Sequence, residues 1–386
     1  MHRVTVTRGF TIGGTKVHAN TPYLMSNVLT GELLKSDAMV DGAPFYTKVM
    51  ARWEPNRPPM HGSGPQTIWL LRTGGYGDLL MMTPGIRRLL DDGHEVNVVC
   101  DPRYACIFDG WNNPRLRVCD DPLPADLVDD DHAIVCFEGI IEGSEKARRV
   151  HGVDLFAGWM GVSVSEHRLT YHVLNTEDHW AWEKCPFAGI RRRVGIQVKS
   201  SSLVRSYEPN QLSRVIEILQ KRRGIEIFLF GTPGDVECDI KGVRNLAQEN
   251  LTFRQSCAVL ATCDVVLAPD SALAHVAQAL GIPCVLLFGS FPAGLRVTGN
   301  PAITTVLDAK SECGPCFHHF ASRQKWPVGA PCGMAGFCTT LASIAPEKVA
   351  AAVVNLLTPH GGHDRGLQEP DIGRADCRAG EPAEAV

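Results

Sequence analysis

The feature that most limits how this chain can fold is a repeated alternation of short apolar segments, glycine-rich turns and amphipathic segments. The first block of this alternation predicts strands at 67–71, 95–100 and 133–137 and a helix at 78–91. A strand–helix alternation of this kind indicates parallel sheets that are covered by helices on both faces. The chain is therefore predicted to be an α/β protein.

A second block of the same kind follows the first. It predicts four strands, at 193–198, 225–230, 265–268 and 284–288. It also predicts three helices, at 209–222, 271–280 and 346–357. A chain of 386 residues with 44% hydrophobic content is long enough for two domains with separate cores. Two doubly wound blocks in series usually hold a ligand in the cleft between the carboxyl ends of their strands.

The texture of the sequence predicts four segments. Residues 1–64 form a β-rich N-terminal extension, because short alternating segments are separated there by glycines and prolines. Residues 65–185 and 186–357 form the two Rossmann-like domains. Residues 358–386 are rich in Gly, Pro and charge, with almost no bulky apolar side chains, and are predicted to be a disordered tail.

The charge balance excludes some partners. The 38 basic and 42 acidic residues sum to a net charge of −4, so no general cationic field exists to hold nucleic acid or an anionic membrane. No secretory signal is visible at the N-terminus, and no apolar run approaches the roughly 20 residues that a membrane-spanning helix needs. A cytoplasmic protein is expected.

A glycine-rich turn follows the first predicted strand. Gly74, Gly75 and Gly77 allow a tight turn with positive φ and a close approach of a ligand to the backbone. Asp78 comes where an N-cap or first-turn residue of the following helix is expected. Its carboxylate either caps that helix or faces the cleft as a general base that takes a proton from an attacking hydroxyl. The G-x-G-x-x-G spacing of a dinucleotide site is absent.

A second turn, late in the second block, carries Asp270, Ser271, Ala272 and His275. Asp270 or Ser271 is expected to cap a helix whose first free N–H groups form an anion site of about half a positive charge. Ser271 and His275 lie four residues apart on one helical face, so both could reach the same anionic group. His275 is either a satisfied core histidine or a ligand contact, and its place one turn into this helix favours ligand contact.

Polar side chains also follow two earlier strands of the second block. Ser200, Ser201 and Arg205 suit a pyrophosphate, because a cation offsets the charge that builds on a leaving group. The alternative is a solvated, flexible serine loop. Asp235 and Glu237 could accept hydrogen bonds from ribose hydroxyls, or they could cap a helix.

A cysteine-rich loop at 313–338 has the pattern C-x2-C-x15-C-x5-C, formed by Cys313, Cys316, Cys332 and Cys338. This spacing matches the ligands of a four-thiolate metal site. Zn²⁺ is the default ion for such a structural site, and four tetrahedral thiolates also suit iron. Free thiols and disulfides are the alternatives, and disulfides are disfavoured in a reducing compartment.

These segments, in this order, resemble glycosyltransferase family 9, the ADP-heptose:lipopolysaccharide heptosyltransferases, over roughly residues 66–357. The resemblance rests on Gly77-Asp78-Leu79-Leu80…Thr83-Pro84, on Phe230-Gly231-Thr232-Pro233-Gly234-Asp235, and on Asp270-Ser271…His275…Ala277-Gln278-Ala279-Leu280-Gly281-Ile282-Pro283…Leu287-Phe288-Gly289. The cysteine loop resembles an insert of some relatives, including the iron-containing autotransporter heptosyltransferases. That subgroup also carries an N-terminal β appendage and modifies protein serines.

The resemblance implies a GT-B fold, in which two Rossmann-like domains face each other and the C-terminal one holds the donor. It places the catalytic aspartate at Asp78, the donor-phosphate cation at Arg205, and the accompanying hydroxyls at Ser200 and Ser201. Two departures from the family pattern leave the sugar donor open. Ala272 stands where the family usually has glycine, and Arg205 replaces lysine, which keeps the charge and changes its geometry.

The function that the resemblance implies is inverting transfer of a sugar, with ADP-heptose favoured as the donor and a saccharide or protein hydroxyl as the acceptor. Transfer itself is expected to need no cofactor, and the cysteine loop is expected to hold a structural Zn or Fe. Two alternatives stay open: a transferase with another nucleotide-sugar donor, and a catalytically silent GT-B module for binding or assembly. A homo-oligomer is also left open.

Overall fold

The structure, a computed structural model, describes residues 2–5, 10–12, 15–17, 22–25, 64–121, 123–124, 133–186, 191–236, 240–318 and 331–358. Glu237 lies outside these ranges, and so does the predicted tail beyond Thr358. Most of the predicted N-terminal extension is also outside them. The proposed domain limits therefore stay predictions.

Four short strands are described in the first 25 residues: β1 His2–Thr5, β2 Phe10–Ile12, β3 Thr15–Val17 and β4 Pro22–Met25. β2 and β3 pair antiparallel with each other, and β1 pairs antiparallel with β4. These pairings are those of short hairpin-like ribbons rather than of the parallel sheets that follow.

The first half of the chain contains a sheet of four parallel strands, β5 Thr67–Leu71, β6 Glu95–Cys100, β7 Leu116–Asp120 and β9 Ala133–Cys136. Their order in space is β7-β6-β5-β9. β5 and β6 are buried along nearly their whole length, as expected of strands covered on both faces. The two-residue strand β8, Leu123–Pro124, pairs with β4 and so joins the N-terminal strands to this half.

The helices of this half are α1 Tyr76–Asp91, α2 Pro102–Ala105, α3 Ile140–Gly143, α4 Gly152–Trp159 and α5 Asn175–Lys184. α1 begins two residues before the predicted start at 78, because Gly75 is its N-cap. The predicted strand 133–137 ends one residue earlier, at Cys136.

The second half contains a sheet of six parallel strands in the spatial order β12-β11-β10-β13-β14-β15. Their bounds are β10 Arg192–Gln197, β11 Ile225–Phe230, β12 Val243–Asn245, β13 Val265–Pro269, β14 Cys284–Phe288 and β15 Thr304–Asp308. β10 lies one residue before its predicted position, and β13 extends one residue beyond its predicted end.

Six helices are described in the second half: α6 Pro209–Gln220, α7 Phe253–Ala261, α8 Ala272–Ala279, α9 Pro331–Ala335, α10 Thr339–Ala342 and α11 Pro346–Leu357. α11 has the predicted bounds. α6 ends two residues before the predicted 222, and α8 is one residue shorter than predicted at each end. The α/β class and the parallel sheets are confirmed.

Each sheet has one place where the chain reverses the direction in which it adds strands. In the first sheet, β6 and β7 lie on one side of β5 and β9 lies on the other; in the second sheet, β11 and β12 lie on one side of β10 and β13 on the other. Ligands of open α/β sheets bind outside the carboxyl ends of the strands at such a switch point. The β5/β9 and β10/β13 ends are therefore where the functional side chains should lie.

The two halves share a hydrophobic core. One cluster of buried side chains includes residues of α1 and the first sheet together with residues of β13 and α8, and a second cluster packs on α6 and α11. No helix in the described ranges is long and apolar enough to cross a membrane.

Candidate active site

The glycine turn after β5 brings Asp78 to the β5/β9 switch point. Gly75 is the N-cap of α1 at φ 90°, a conformation that favours glycine, and it makes no side-chain cap bond. A Cβ at Gly75 would lie 3.0 Å from Asp78 Oδ2. At Gly74 a Cβ would lie 3.2 Å from Tyr104 Cε2. A larger residue at Gly75 would therefore crowd the Asp78 carboxylate.

The Asp78 carboxylate is bound by Arg72, the residue directly after β5. Arg72 Nη2 donates to Asp78 Oδ2, while Nη1 donates to the carbonyl of Phe137 at 3.0 Å and Nε to that of Gly74 at 3.1 Å. The Arg72 side chain is 8% exposed and that of Asp78 20%. Asp78 lies in the first turn of α1 and does not cap it, so its direction is set by a buried guanidinium.

Glu138 is a second carboxylate at this switch point, and the sequence analysis did not identify it. It follows β9, and its Oε1 accepts from Thr73 N at 2.7 Å and from Thr73 Oγ1 at 2.6 Å. The sequence pattern did not single out Arg72 either. The available signal for both is position, because each is a charged residue placed just after one of two neighbouring parallel strands.

At the other switch point, α8 begins beside the end of β13. Ser271 is the N-cap of α8 by position, as predicted, but its hydroxyl makes no cap bond. Ser271 Oγ is buried and has no hydrogen-bond partner among the described residues. The first N–H groups of α8, starting with that of Ala272, therefore form an anion-binding terminus with a hydroxyl beside it.

His275 lies one turn further along α8 and is 4% exposed. Its Nε2 is 3.8 Å from Asp270 Oδ1, and its Nδ1 is buried without a hydrogen-bond partner in the described part of the chain. Burial lowers the pKa of His275, and although the nearby carboxylates of Asp270 and Asp78 oppose this, the net direction is downward. The imidazole is therefore neutral near pH 7.

The loop after β10 closes on Asp270. Arg205 Nη1 donates to the Asp270 carbonyl at 3.3 Å and lies 3.4 Å from its Oδ2, while Nη2 donates to Ser201 Oγ at 3.1 Å. Ser200 Oγ and Arg205 Nε are buried without a hydrogen-bond partner in the described chain. Because β10 and β13 are adjacent parallel strands, both loops end at the same sheet edge. The serine loop is thus ordered around the cation.

The start of α1, which carries Asp78, lies against α8, which carries His275. A Cβ at Gly77 would lie only 3.1 Å from His275 Cδ2, so the two helices meet at this glycine. Short distances connect Gly77 to His275, His275 to Asp270, and Asp270 through Arg205 to Ser201. That the whole predicted set lines one ligand site stays a prediction; the set is Gly74, Gly75, Gly77, Asp78, Ser200, Ser201, Arg205, Asp270, Ser271, Ala272 and His275. The Asp78 carboxylate is near enough to His275 to act on its pKa.

Asp235 is engaged inside its own turn. Its Oδ2 accepts from Thr232 N at 2.8 Å and from Thr232 Oγ1 at 3.0 Å, and its Oδ1 is 2.6 Å from Lys199 Nζ. These bonds follow the turn-capping alternative, and they tie the loop after β11 to the loop after β10. A role in ribose binding stays a prediction for Asp235, and Glu237 lies outside the described residues.

The cysteine loop packs on the end of β14, where Phe317 N donates to Ser290 O at 2.8 Å. Burial raises the pKa values of the Cys332 and Cys338 thiols, and the neighbouring thiols raise them further. Hydrogen bonds from nearby hydroxyls lower the pKa of Cys313. Within the described residues, however, no three of the four sulfurs lie within 4.8 Å of one another. The thiols are neighbours, and the four-thiolate site stays a prediction.

A different group of metal-ligand atoms, from His151, Asp154 and His167, lies within 4.8 Å. His151 Nδ1 accepts from Val153 N at 3.2 Å, and its Nε2 is 3.1 Å from Val297 O. The two imidazole rings stack with centroids 3.9 Å apart and 12° between planes. Because the two rings are nearly parallel, the lone pairs of their nitrogens lie in nearly parallel planes. Both nitrogens of His151 also have hydrogen-bond partners already. Binding an ion here would break these bonds.

One family model matches the central segment of the chain. Residues 151–327 match the model of glycosyltransferase family 9 (heptosyltransferase). Asp78 lies before the matched segment, and α11 lies after it. No curated protein matches the chain in sequence.

Solved structures resemble the chain over three quarters of its length. A family 9 glycosyltransferase from Veillonella parvula is 15% identical with a TM-score of 0.54, covering 76% of this chain and 97% of its own. ADP-heptose LPS heptosyltransferase II of E. coli is 15% identical with a TM-score of 0.52, covering 76% and 98%. The iron-containing dodecameric glycosyltransferase TibC of enterotoxigenic E. coli is 16% identical with a TM-score of 0.56, covering 76% of each chain. These likenesses confirm the predicted GT-B fold.

The neutral state of His275 predicts a pH effect. Because the folded chain holds the pKa of His275 below its ordinary value, the unfolded chain binds a proton first as the pH falls through about 6.5. His275 therefore makes the folded state less stable on acidification. Urea unfolding midpoints measured from pH 7 to pH 5 should fall less steeply for His275→Gln than for the unchanged protein.

The matched control is His179→Gln, because His179 is exposed and pairs only with Glu183 in the next turn of α5. This control should keep the slope of the unchanged protein. Equal slopes for His275→Gln and the unchanged protein would mean that His275 is not held neutral by burial.

Proposed function

We propose that this chain, whose residues 151–327 match the family 9 model, is a glycosyltransferase that transfers a sugar from a nucleotide diphosphate to a hydroxyl group with inversion at the anomeric carbon. ADP-heptose is the favoured donor, and the acceptor is a saccharide, as in lipopolysaccharide biosynthesis, or a protein hydroxyl. TibC, which shares the fold, has been solved in complex with ADP-D-beta-D-heptose. The expected cytoplasmic location and homo-oligomer stay predictions.

One observation carries this proposal. Four buried polar atoms have no hydrogen-bond partner among the described residues. They are Ser200 Oγ and Arg205 Nε in the loop after β10, and Ser271 Oγ and His275 Nδ1 at the start of α8. Buried polar groups are nearly always hydrogen-bonded in native proteins, so such a group of atoms indicates a polar ligand. A diphosphate supplies acceptor oxygens of the right charge for this helix terminus and cation.

The opposite half would supply the base. In the proposed step the acceptor oxygen attacks the anomeric carbon, the bond from that carbon to the diphosphate oxygen breaks, and the hydroxyl proton passes to Asp78. Arg72 holds the carboxylate in one direction, which a general base requires. Arg205, the serine hydroxyls and the N–H groups at 271–273 would offset the charge on the departing diphosphate. Attack from the side opposite the diphosphate inverts the configuration.

Asp78→Asn tests the base. The amide keeps the size of the carboxylate and cannot accept the proton, so release of ADP from ADP-heptose, assayed with a panel of saccharide and serine-containing acceptors, should fall by about 10²–10⁴-fold. Donor affinity, measured by calorimetry, should stay within a few-fold. Asp91→Asn is the control, because Asp91 is exposed at the end of the same helix. A fully active Asp78→Asn enzyme would remove the base assignment.

Thermal unfolding with a panel of nucleotide sugars tests the donor. A ligand at 100 times its dissociation constant stabilises the folded state by about 2.7 kcal/mol, so ADP-heptose should raise the melting temperature more than GDP- or UDP-sugars do. Arg205→Met should lose most of this shift. Arg214→Met, which removes an exposed arginine paired with Glu217, should keep it. A larger shift with a GDP- or UDP-sugar would mean that this sugar, and not ADP-heptose, is the donor. No shift with any nucleotide sugar would contradict the diphosphate site.

We also propose that Cys313, Cys316, Cys332 and Cys338 hold a structural Zn or Fe ion. The spacing of the cysteines and the proximity of their thiols support this, and TibC is iron-containing. A bound ion would cross-link a loop that is rich in Gly and Pro and has little core of its own. None of these cysteines is among the groups assigned to transfer, so the proposed role is structural.

Elemental analysis tests this site on protein purified under reducing, chelator-free conditions. About one Zn or Fe per chain is expected, and Cys313→Ser/Cys316→Ser should lose it, because two ligands are removed. Cys119→Ser, at a half-buried cysteine on β7, should retain it. Metal near zero in the unchanged protein would dismiss the site, and metal lost from His167→Gln instead would move it to the histidine cluster.

A further inference from the structure

Two adjacent residues at the start of α7, Phe253 and Arg254, reach from the second half of the molecule into the first. The start of this helix is held locally by a capping box, in which Thr252 Oγ1 accepts from Gln255 N at 3.2 Å and Gln255 Oε1 accepts from Thr252 N at 2.9 Å. The two side chains therefore leave the helix in directions that its own cap already sets.

Every partner of Arg254 among the described residues precedes the second sheet. Its Nε and Nη2 donate to the two carboxylate oxygens of Glu177, Nη1 donates to Cys106 O at 2.7 Å, and Nη2 also donates to His172 O at 2.8 Å. The guanidinium lies 5.3 Å from the ring centroid of Tyr171. Arg254 is 9% exposed, so these contacts are shielded from water. The planar, forked guanidinium suits such a bidentate, stacked site, and lysine would not reproduce it.

Phe253 stacks on the other side of the same junction. Its ring is parallel to that of Tyr76 within 5°, with centroids 3.7 Å apart, and it meets Tyr171 edge-on at 6.4 Å. Tyr76 in turn meets Tyr104 edge-on at 4.6 Å and donates to Arg103 O at 3.0 Å. Phe253 thus belongs to a continuous aromatic row that crosses between the halves.

Tyr76 places this aromatic row next to the turn that carries Asp78. Tyr76 is the first residue of α1, between Gly75 and Gly77 and two residues before Asp78. Arg72 binds Gly74 O and the Asp78 carboxylate from within the first half, but the glycines add no side-chain contacts and the N-cap makes no side-chain bond. The direction of the helix start therefore depends on tertiary contacts, and the ring of Phe253 covers the one aromatic side chain in the turn.

We propose that Phe253 and Arg254 are positioning residues for the transfer reaction. They fix the start of α1, and with it the Asp78 carboxylate, relative to the diphosphate-binding groups of the second half, while neither residue is among those assigned to the donor or to the base. The proposal rests on the proposed function, because the distance between the halves matters to turnover only if Asp78 acts on a substrate held by the second half. Small displacements of reacting groups cost large factors in rate.

Phe253→Ala should lower kcat by about 10–100-fold, because a misplacement of the order of 1 Å is known to cost that much. The donor KM should stay within about twofold and the binding stoichiometry should be unchanged, since the donor groups are untouched. An unchanged stoichiometry shows that the loss is not a loss of folded protein. Phe253→Tyr, which keeps the ring, should retain activity.

Further variants separate positioning from helix stability. Gln255→Ala weakens the cap of α7 without touching the first half and should keep kcat. Arg254→Lys should lower kcat in the same way as Phe253→Ala. Tyr76→Ala combined with Phe253→Ala should be no slower than the slower single variant, because both remove one contact. Should Phe253→Ala not fold, Phe253→Leu takes its place, since leucine keeps apolar volume without a ring face.

Amide hydrogen exchange across residues 74–82 supplies a readout that does not depend on activity. Exchange there should be faster in Phe253→Ala than in the unchanged protein and Gln255→Ala. If the unchanged protein transfers no sugar, the proposed function fails, and the exchange result still reports on the contact. If the unchanged protein transfers sugar and Phe253→Ala keeps both its kcat and its exchange rate, this inference is overturned and the function stands.

Discussion

The close approach of two helix starts at Gly77 is the contact on which the rest of the site depends. A Cβ there would meet the imidazole of His275 at 3.1 Å, so a larger residue would require the buried imidazole or one of the two helices to shift. Each helix begins at the switch point of its own parallel sheet and has free N–H groups at its start. The fold thus brings two positively polarised termini together, and the side chains around them decide what each terminus binds.

The polar side chains of the two halves differ in whether they have hydrogen-bond partners. In the first half both carboxylates already have protein partners, since Asp78 is held by Arg72 and Glu138 by Thr73. In the second half, buried hydroxyl, imidazole and guanidinium atoms around Ser271 have none among the described residues. Unsatisfied buried donors are costly without a ligand, whereas a satisfied carboxylate is already oriented. This asymmetry supports the proposed roles, in which the second half binds the anion and the first half takes the proton.

The sequence predicts the parts of this arrangement that local pattern controls. Continuous apolar runs mark the buried strands, but β7, β12 and β15 are partly exposed edge strands without such runs and were not predicted. The start of α1 was placed late because Gly75 caps it without a side-chain signal. Arg72 and Glu138 were missed because their roles depend on β5 and β9 being neighbours, which no single segment reveals.

The contacts between the halves are the part that sequence reasoning reaches least, because each joins residues far apart in the chain. They differ in kind: a shielded guanidinium at Arg254, a glycine-to-imidazole contact at Gly77, and a hydrogen-bonded ring at His151 against Val297. The shared hydrophobic cluster lies between them. A reaction that needs a base from one half and a leaving-group site from the other requires these contacts to be specific, since apolar burial alone is not directional. The polar and aromatic contacts fix how the two halves are oriented, and the shared hydrophobic core stabilises their association.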